Sequence, residues 1–321
     1  MIIPIAFNID HTLIRKENLM DHNQIDLHMH SSVSNDAQFS PEKLMRMCAE
    51  SGLKIVAIAD HNSIGAFHLA QQAICDQHLY LNLIPAIELD CTHKGVNLHI
   101  LGYGINPDEP WFSKYSQTID EEDRQLSDIR ANMIRDLGIF LEEDELNKHR
   151  INGILTGEMI GEVALEDERN IDNVFLKAYR SGGSRSDNPF VNFYWDFMAQ
   201  GKIAYAEVNF ISAQEAVQRI KSAGGFAVFA HPGNNIGMDE ELLKDILDLG
   251  LEGIEVYSTY HDEIKTQFYR EKALSRNLLM TLGSDFHGKS KPSIKLGNFD
   301  CVDEVELTKA FLNRKEIQAY L

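Results

Sequence analysis

Short apolar runs of strand length recur along this chain, and nearly every one carries a histidine or an acidic residue at or near its end. They are IDLHM at 25–29, KIVAIAD at 54–60, LIPAIEL at 83–89, LHILGYG at 98–104, FAVFAHP at 226–232, GIEVYS at 253–258 and LLMTLGSD at 278–285. Unbroken apolar runs of this length fit strands buried on both faces, as in a parallel sheet. Helical patterns lie between several of them. SPEKLMRMCAESG at 40–52 offers Ser40 as N-cap, Pro41 at the first helical position and Gly52 as C-cap. Seven strands in βα order predict an α/β barrel, in which the carboxyl ends of the strands form the active face.

On such a face the polar ends of the runs converge. His28 and His30 follow the first run, Asp60 and His61 the second, Glu88 closes the third and His99 sits inside the fourth. His231 ends the fifth, Glu255 lies in the sixth, and Asp285 and His287 finish the last. Taken singly, each reads as a capping or hydrogen-bonding residue, and residues i and i+2 of a strand share a face whether or not a metal is present. Taken together they predict a metal site. Imidazole and carboxylate without thiolate suit Zn²⁺, Mn²⁺ or Fe²⁺ rather than a cysteine-built structural zinc. Four groups saturate a tetrahedral zinc, whereas His28, His30, Asp36, His61, Glu88, His99, His231, Asp285 and His287 make nine. That is enough for two or three ions sharing a carboxylate.

The rest of the chain bounds the reading. A formal charge of −19 disfavours a broad surface for duplex nucleic acid, which needs clustered Lys and Arg, yet leaves room for a small phosphorylated substrate held by metal ions. No apolar stretch reaches the ~18 residues of a membrane span. The start MIIPIAFNIDHTLIRKENLM lacks the marks of a signal peptide, and Cys48, Cys75, Cys91 and Cys301 form no metal or disulfide pattern, so a cytoplasmic location is expected. Residues 1–20 read as an N-terminal extension. Within them FNIDHTL at 7–13 mimics an aspartyl-phosphate phosphatase motif, but Asn8 stands where the nucleophilic aspartate is required. Residues 21–105 and 211–321 read as the barrel, and 106–210 as a cap or insertion. In that insertion, 118–146 is expected as an acidic helix and 179–197 as a loop leading into a helix.

The motifs DLHMHS at 26–31, ADHNS at 59–63, the Glu88 strand, LHILGYG, GGFAVFAHPG at 224–233, IEVYS and GSDFHG at 283–288 together resemble the PHP superfamily, the polymerase and histidinol phosphatase group of metal-dependent phosphoesterases. The resemblance spans residues 25 to about 300. It implies a distorted (β/α)₇ barrel with a mostly helical cap and a trinuclear centre. By motif position, one ion takes His28, His30, Glu88 and Asp285; a second takes Glu88, His99 and His231; a third takes Asp36, His61 and His287. The family's aspartate falls five residues after the second histidine, where this chain has Asn35. Counted back from Ser40-Pro41 it falls on Asp36, so the third ligand is Asn35 or Asp36, with Asp36 preferred.

The long insertion resembles the subgroup acting on nucleotides and short oligonucleotides. Arg130, Arg135, Lys177, Arg180 and Arg185 are candidate phosphate grips, since a guanidinium fork matches phosphate oxygens, and Tyr257 and His261 are further candidates for the pocket. The expected activity is hydrolysis of a phosphate ester, a monoester before a diester, through a metal-activated hydroxide, with two or three divalent ions (Mn, Fe or Zn, with Mg allowed). Glu88, His231 and Asp285 are the expected catalytic residues, with Asp285 or a neighbouring histidine able to relay a proton. Two rivals remain: an amidohydrolase-like barrel, and a PHP domain that binds metal without catalysis.

Overall fold

The structure is a computed structural model that describes residues 24–321. The N-terminal extension and its FNIDHTL motif therefore lie outside the described residues. Among the described residues eight strands form one sheet: β1 (Ile25–Met29), β2 (Ile55–Ile58), β3 (Asn82–His93), β4 (Val96–Tyr103), β5 (Ile211–Ser212), β6 (Phe226–Phe229), β7 (Gly253–Ser258) and β8 (Leu279–Gly283). Spatial order is β1-β2-β3-β4-β6-β7-β8, with β5 attached to β3. The sheet curls until its ends meet. The Asp285 amide donates to the His28 carbonyl at 2.7 Å, and the His30 amide to the Phe286 carbonyl at 2.9 Å. The barrel is thus nearly closed, and its seam lies at the end that carries the histidines.

Every residue of β1, β2, β6 and β7 is buried, which explains their unbroken apolar runs. One buried acid ties the seam from inside. Asp26 Oδ1 accepts from the Ser284 amide at 2.9 Å, and its Oδ2 accepts from the Gly297 amide at 2.9 Å. Burial pushes its carboxyl up to about 6, against the pull of these hydrogen bonds.

The expectation of seven parallel strands needs correction at β4, which runs antiparallel to both β3 and β6. The cause is a two-residue hairpin at Lys94 and Gly95, with φ of 50° and 78°. Positive φ at both central residues makes the kind of turn whose twist suits a hairpin.

The helices are α1 (Pro41–Glu50), α2 (Ala66–Asp76), α3 (Pro110–Asp136), α4 (Glu143–His149), α5 (Gly157–Glu166), α6 (Pro189–Phe197), α7 (Ala213–Ser222), α8 (Pro232–Asn235), α9 (Glu240–Leu247), α10 (Glu263–Ser275), α11 (Glu304–Leu312) and α12 (Lys315–Gln318). Ser40 caps α1, its hydroxyl accepting from the Lys43 amide. The acidic segment 118–146 is two helices and not one. α3 stops at Asp136, Gly138 follows with φ of 77°, and α4 begins at Glu143. A glycine in the left-handed region ends a helix at little cost. Two buried apolar clusters result. The larger fills the barrel and the helices around it; the smaller is drawn wholly from the run between Ala131 and Ala204.

Candidate metal centre

The strands deliver the nine predicted side chains to one rim. His28 and His30, two apart at the end of β1, share a face. Glu88 and Asp90 do the same on β3, and Asp90 lies directly across the hairpin from His99. His61 sits just after β2, His231 just after β6, and Asp285 and His287 just after β8. Asp36 comes from the loop before α1. Backbone geometry is unusual where the rim is tightest: φ is positive at Asn62 (56°), His231 (23°) and Asp285 (58°). Such conformations cost on the order of 1–3 kcal/mol each and gather at functional sites.

Three groups of side chains converge. In the first, His28 Nε2 and His30 Nε2 each stand 3.2 Å from Glu88 Oε2, and 3.5 and 3.1 Å from Asp285 Oδ1. In the second, Glu88 Oε1 faces His231 Nε2 at 3.0 Å and His99 Nδ1 at 3.1 Å. In the third, Asp36 Oδ2 faces His287 Nε2 at 3.1 Å and His61 Nε2 at 3.8 Å. Asn35 turns away and donates to Asp120 Oδ1 at 3.2 Å. Asp36, not Asn35, therefore faces the imidazoles.

The outer nitrogens reveal what the inner ones are for. His28 Nδ1 meets Glu255 Oε1 at 2.9 Å, and His287 Nδ1 meets the Asp285 carbonyl at 2.9 Å, so in the neutral rings both Nδ1 atoms carry the proton. His30 Nδ1 meets Ser34 Oγ at 3.2 Å. That hydroxyl spends its own hydrogen on Asp60 Oδ1, so the imidazole donates. His231 Nδ1 pairs with Asn235 Oδ1 at 3.1 Å. His61 Nδ1 and His99 Nε2 both face Asp90 Oδ1, at 3.1 and 3.3 Å. All six rings thus direct a lone pair inward, towards carboxylate oxygens that are lone pairs themselves.

Such an arrangement leaves most of the facing atoms unsatisfied without a cation. Seven of the nine residues hold a buried polar atom with no hydrogen-bond partner: His28 Nε2, His30 Nε2, Asp36 Oδ1, Glu88 Oε2, His99 Nδ1, Asp285 Oδ1 and His287 Nε2. Orphaned buried polar atoms are rare and each costs about 1–3 kcal/mol. Donors held tetrahedrally about 2.1 Å from an ion stand roughly 3.4 Å apart, close to the 3.1–3.5 Å of the first group. The donor set fits divalent metal.

Electrostatics set the charges of the centre. Burial raises the Glu88 carboxyl, but His28, His99 and His61 around it reverse this and hold it well below the usual range. Burial likewise raises Asp285, and Lys291, His287 and His28 more than offset it. His30 is lowered to about 4, first by burial and then by His287 and His61. The carboxylates are ready as anions and His30 as a neutral donor, the states a metal requires; burial lowers His28, His61 and His99 too, but the carboxylates around them reverse this and raise all three, so a cation entering the centre displaces protons from these rings. Lys291 Nζ at 2.6 Å and the Tyr260 hydroxyl both donate to Asp285 Oδ2, which leaves Oδ1 turned inward.

The rim opens into a cavity of about 600 Å³, walled on the far side by Thr156 and Glu158 near the start of α5 and by Tyr194 and Trp195 of α6. The expected substrate grips do not all reach it. Arg130 lines it, paired with Asp123 at 2.8 Å. Arg185 is held behind the wall by Asp196, Arg180 donates to the carbonyls of Leu165 and Asn170, and Arg135 binds Glu143 and the Leu141 carbonyl. Tyr257 points to Asp303. His261 braces the turn after His231, accepting from the Gly233 amide at 2.9 Å and donating to the Val256 carbonyl at 2.8 Å. None of these last five lines the cavity. Lys291, Tyr260 and Asp90 do, and the sequence reading missed all three. Asp90 had a signal, since it is two residues from Glu88 on one strand face.

Comparison with known proteins places this geometry. The family model for the PHP domain matches residues 26–182. The chain is 28% identical over 278 residues to the 3',5'-nucleoside bisphosphate phosphatase of Chromobacterium violaceum, covering 85% of this chain and 90% of that protein. It is 27% identical over 275 residues to the 5'-3' exoribonuclease Rnm of Escherichia coli, covering 85% and 87%. A third relative, the phosphoribosyl 1,2-cyclic phosphate 1,2-diphosphodiesterase of Eggerthella lenta, is 26% identical over 267 residues, covering 82% and 94%. Two solved structures superpose with a TM-score of 0.69 at 25% identity. One, assigned as a metal-dependent phosphoesterase from Bifidobacterium adolescentis, covers 90% of this chain and 95% of its own; the other, an amidohydrolase from Chromobacterium violaceum with bound sulfate and no metal, covers 89% and 96%. Rim, barrel and relatives agree: residues 26–182 match the PHP domain, and the fold as a whole is similar to that of PHP-type phosphoesterases.

Proposed function

We propose that this protein is a metal-dependent phosphoesterase that removes phosphate from a small molecule, a nucleotide or a short oligonucleotide, with monoesters preferred. The observation that carries the reading is the set of six imidazole lone pairs and three carboxylates turned inward, seven of the nine residues holding an orphaned buried atom, at the floor of a cavity large enough for a nucleotide. Of four groups of histidines and acids that could hold an ion, the three built from the nine residues, with Glu88 in two of them, support two or three ions of Mn, Fe or Zn, with Mg possible. Bound divalent ions would draw charge from phosphoryl oxygens and lower the pKa of a water.

The chain's own side chains do the rest. His28, His30, Asp36, His61, Glu88, His99, His231, Asp285 and His287 hold the ions. Lys291 and Tyr260 fix Asp285 through its outer oxygen, and Arg130 offers the cavity a guanidinium fork once it releases Asp123. The flat faces of Tyr194 and Trp195 suit a base or another apolar leaving group. Residues 106–210 serve as the cap, a role supported by their separate apolar core and by their share of the cavity wall. Four unpaired cysteines suit a reducing, cytoplasmic setting, and among the described residues no helix is long and apolar enough to cross a membrane.

The test is elemental analysis of the purified protein beside a phosphate-release screen over nucleoside monophosphates, bisphosphates and short oligonucleotides, with a cyclic amide as the rival substrate. The reading expects metal and phosphate release. Bound metal with no phosphate released from any of these would favour a binding role, and amide turnover would favour the amidohydrolase reading.

A further inference from the structure

Asp90 occupies a place that none of the three ligand groups uses. Its Oδ1 lies 3.1 Å from His61 Nδ1 and 3.3 Å from His99 Nε2, while Oδ2 accepts from Asn62 Nδ2 at 2.7 Å and the Asp90 amide donates to Asn62 Oδ1 at 3.0 Å. The two contacts with Asn62 fix the carboxylate, so Oδ1 is presented to both rings at one angle. Those rings serve different groups. The inward nitrogen of His99 faces Glu88 together with His231, and the inward nitrogen of His61 faces Asp36 together with His287. The remaining four histidines have separate outer partners, namely Glu255, Ser34, Asn235 and the Asp285 carbonyl.

Building on the metal-centre reading above, we propose that Asp90 is a positioning residue: one oxygen sets the tautomer and tilt of His61 and His99 together, and thereby couples the second and third ion sites while leaving the site of His28 and His30 independent. An acceptor on the outer nitrogen of a metal-binding histidine fixes which nitrogen carries the proton and raises the basicity of the other, and its loss typically weakens metal affinity 10- to 100-fold. Here a single loss acts on two rings at once. Asp90 could instead serve as a ligand to an ion held directly between His61 and His99. That arrangement would take the outer nitrogens of both rings and withdraw His61 from Asp36 and His99 from Glu88.

Mn²⁺ titrated by equilibrium dialysis into the metal-stripped full chain distinguishes these cases. For Asp90→Ala we expect the tightest equivalent to bind as in the wild type and the later equivalents to weaken together by roughly 10- to 100-fold. Asp90→Asn, which keeps the shape but not the charge, should fall between the two. Long-range ¹H–¹⁵N spectra of the stripped proteins, taken at a pH high enough to leave the rings neutral, should show His61 and His99, and no other ring of the centre, losing a fixed tautomer; a merely structural role would not move that signature. The proposal is overturned if later equivalents bind unchanged in both variants, if only one ring changes tautomer, or if a single equivalent disappears outright, as a direct ligand would require. Should Asp90→Ala not fold, Asp90→Asn carries the same test. Wild-type protein that binds no Mn²⁺ would remove the metal-centre reading itself, and this proposal with it.

Discussion

Replacing Glu88 with glutamine removes one negative charge and almost no volume from a side chain that is fully buried. That carboxylate faces five imidazoles: His231 and His99 through Oε1, and His28, His30 and His61 through Oε2. Glutamine keeps one acceptor and turns an amide donor on the other side, so one of the two ion groups loses its shared oxygen and both lose the charge. Removing one partner of a buried charge pair costs about 3–5 kcal/mol, equivalent to roughly 150- to 5,000-fold in affinity. The first and second sites share Glu88, so both should weaken. Stability provides an independent readout. Metal at 100 times its dissociation constant stabilises the folded state by about 2.7 kcal/mol, worth roughly 4 °C in Tm for a chain of 321 residues. Wild-type protein should therefore melt lower in EDTA, and Glu88→Gln should melt at nearly the same temperature with or without it. Dialysis against Mn²⁺ and thermal melts supply both numbers. A Glu88→Gln protein with full metal content, a wild-type EDTA response and wild-type turnover would refute the reasoning.

Two further outcomes follow from the structure. A Cβ on Gly283 would lie 2.3 Å from His28 Cβ and 2.8 Å from its amide nitrogen, so Gly283→Ala must push β1 and β8 apart; we expect a loss of about 1–3 kcal/mol together with weaker metal binding, and an unchanged melt in EDTA would contradict the packing. His261 is lowered to about 4, chiefly by burial, and a histidine whose folded pKa lies below its unfolded value contributes stability that is intact above pH 6.5 and lost as the pH falls towards 4. Urea melts of the stripped protein should lose up to about 3 kcal/mol over that window on account of this ring. His261→Gln should flatten part of that acid limb; an acid limb equally steep in the variant would count against this account.

Much of this molecule was legible before any coordinates, for a physical reason. Strand ends of a barrel converge, so His28, His30, His61, Glu88, His99, His231, Asp285 and His287 needed only their positions in the sequence to be read as one centre. Asp36 was harder, because a loop residue has no strand register to fix it; the structure faces it towards His287 and ties Asn35 to Asp120. The direction of β4 was hidden because an apolar run looks the same parallel or antiparallel, and the hairpin that reverses it uses Lys-Gly, a weaker turn signal than Asn-Gly. Reading the third strand as ending at Leu89 concealed Asp90, although β3 runs to His93. The placement of the arginines was hidden for another reason. A long flexible side chain reaches whichever acid or carbonyl lies near, and Arg135, Arg180 and Arg185 found theirs close by in the chain.

The most direct test is an anomalous difference map from crystals of the full chain grown with Mn²⁺ and measured on either side of the manganese edge. The account predicts two or three strong peaks on the rim, two of them flanking the Glu88 carboxylate and a third, if present, between Asp36 and His287. A rim without anomalous density in crystals of protein shown to carry manganese, or peaks confined to surface carboxylates, would contradict it.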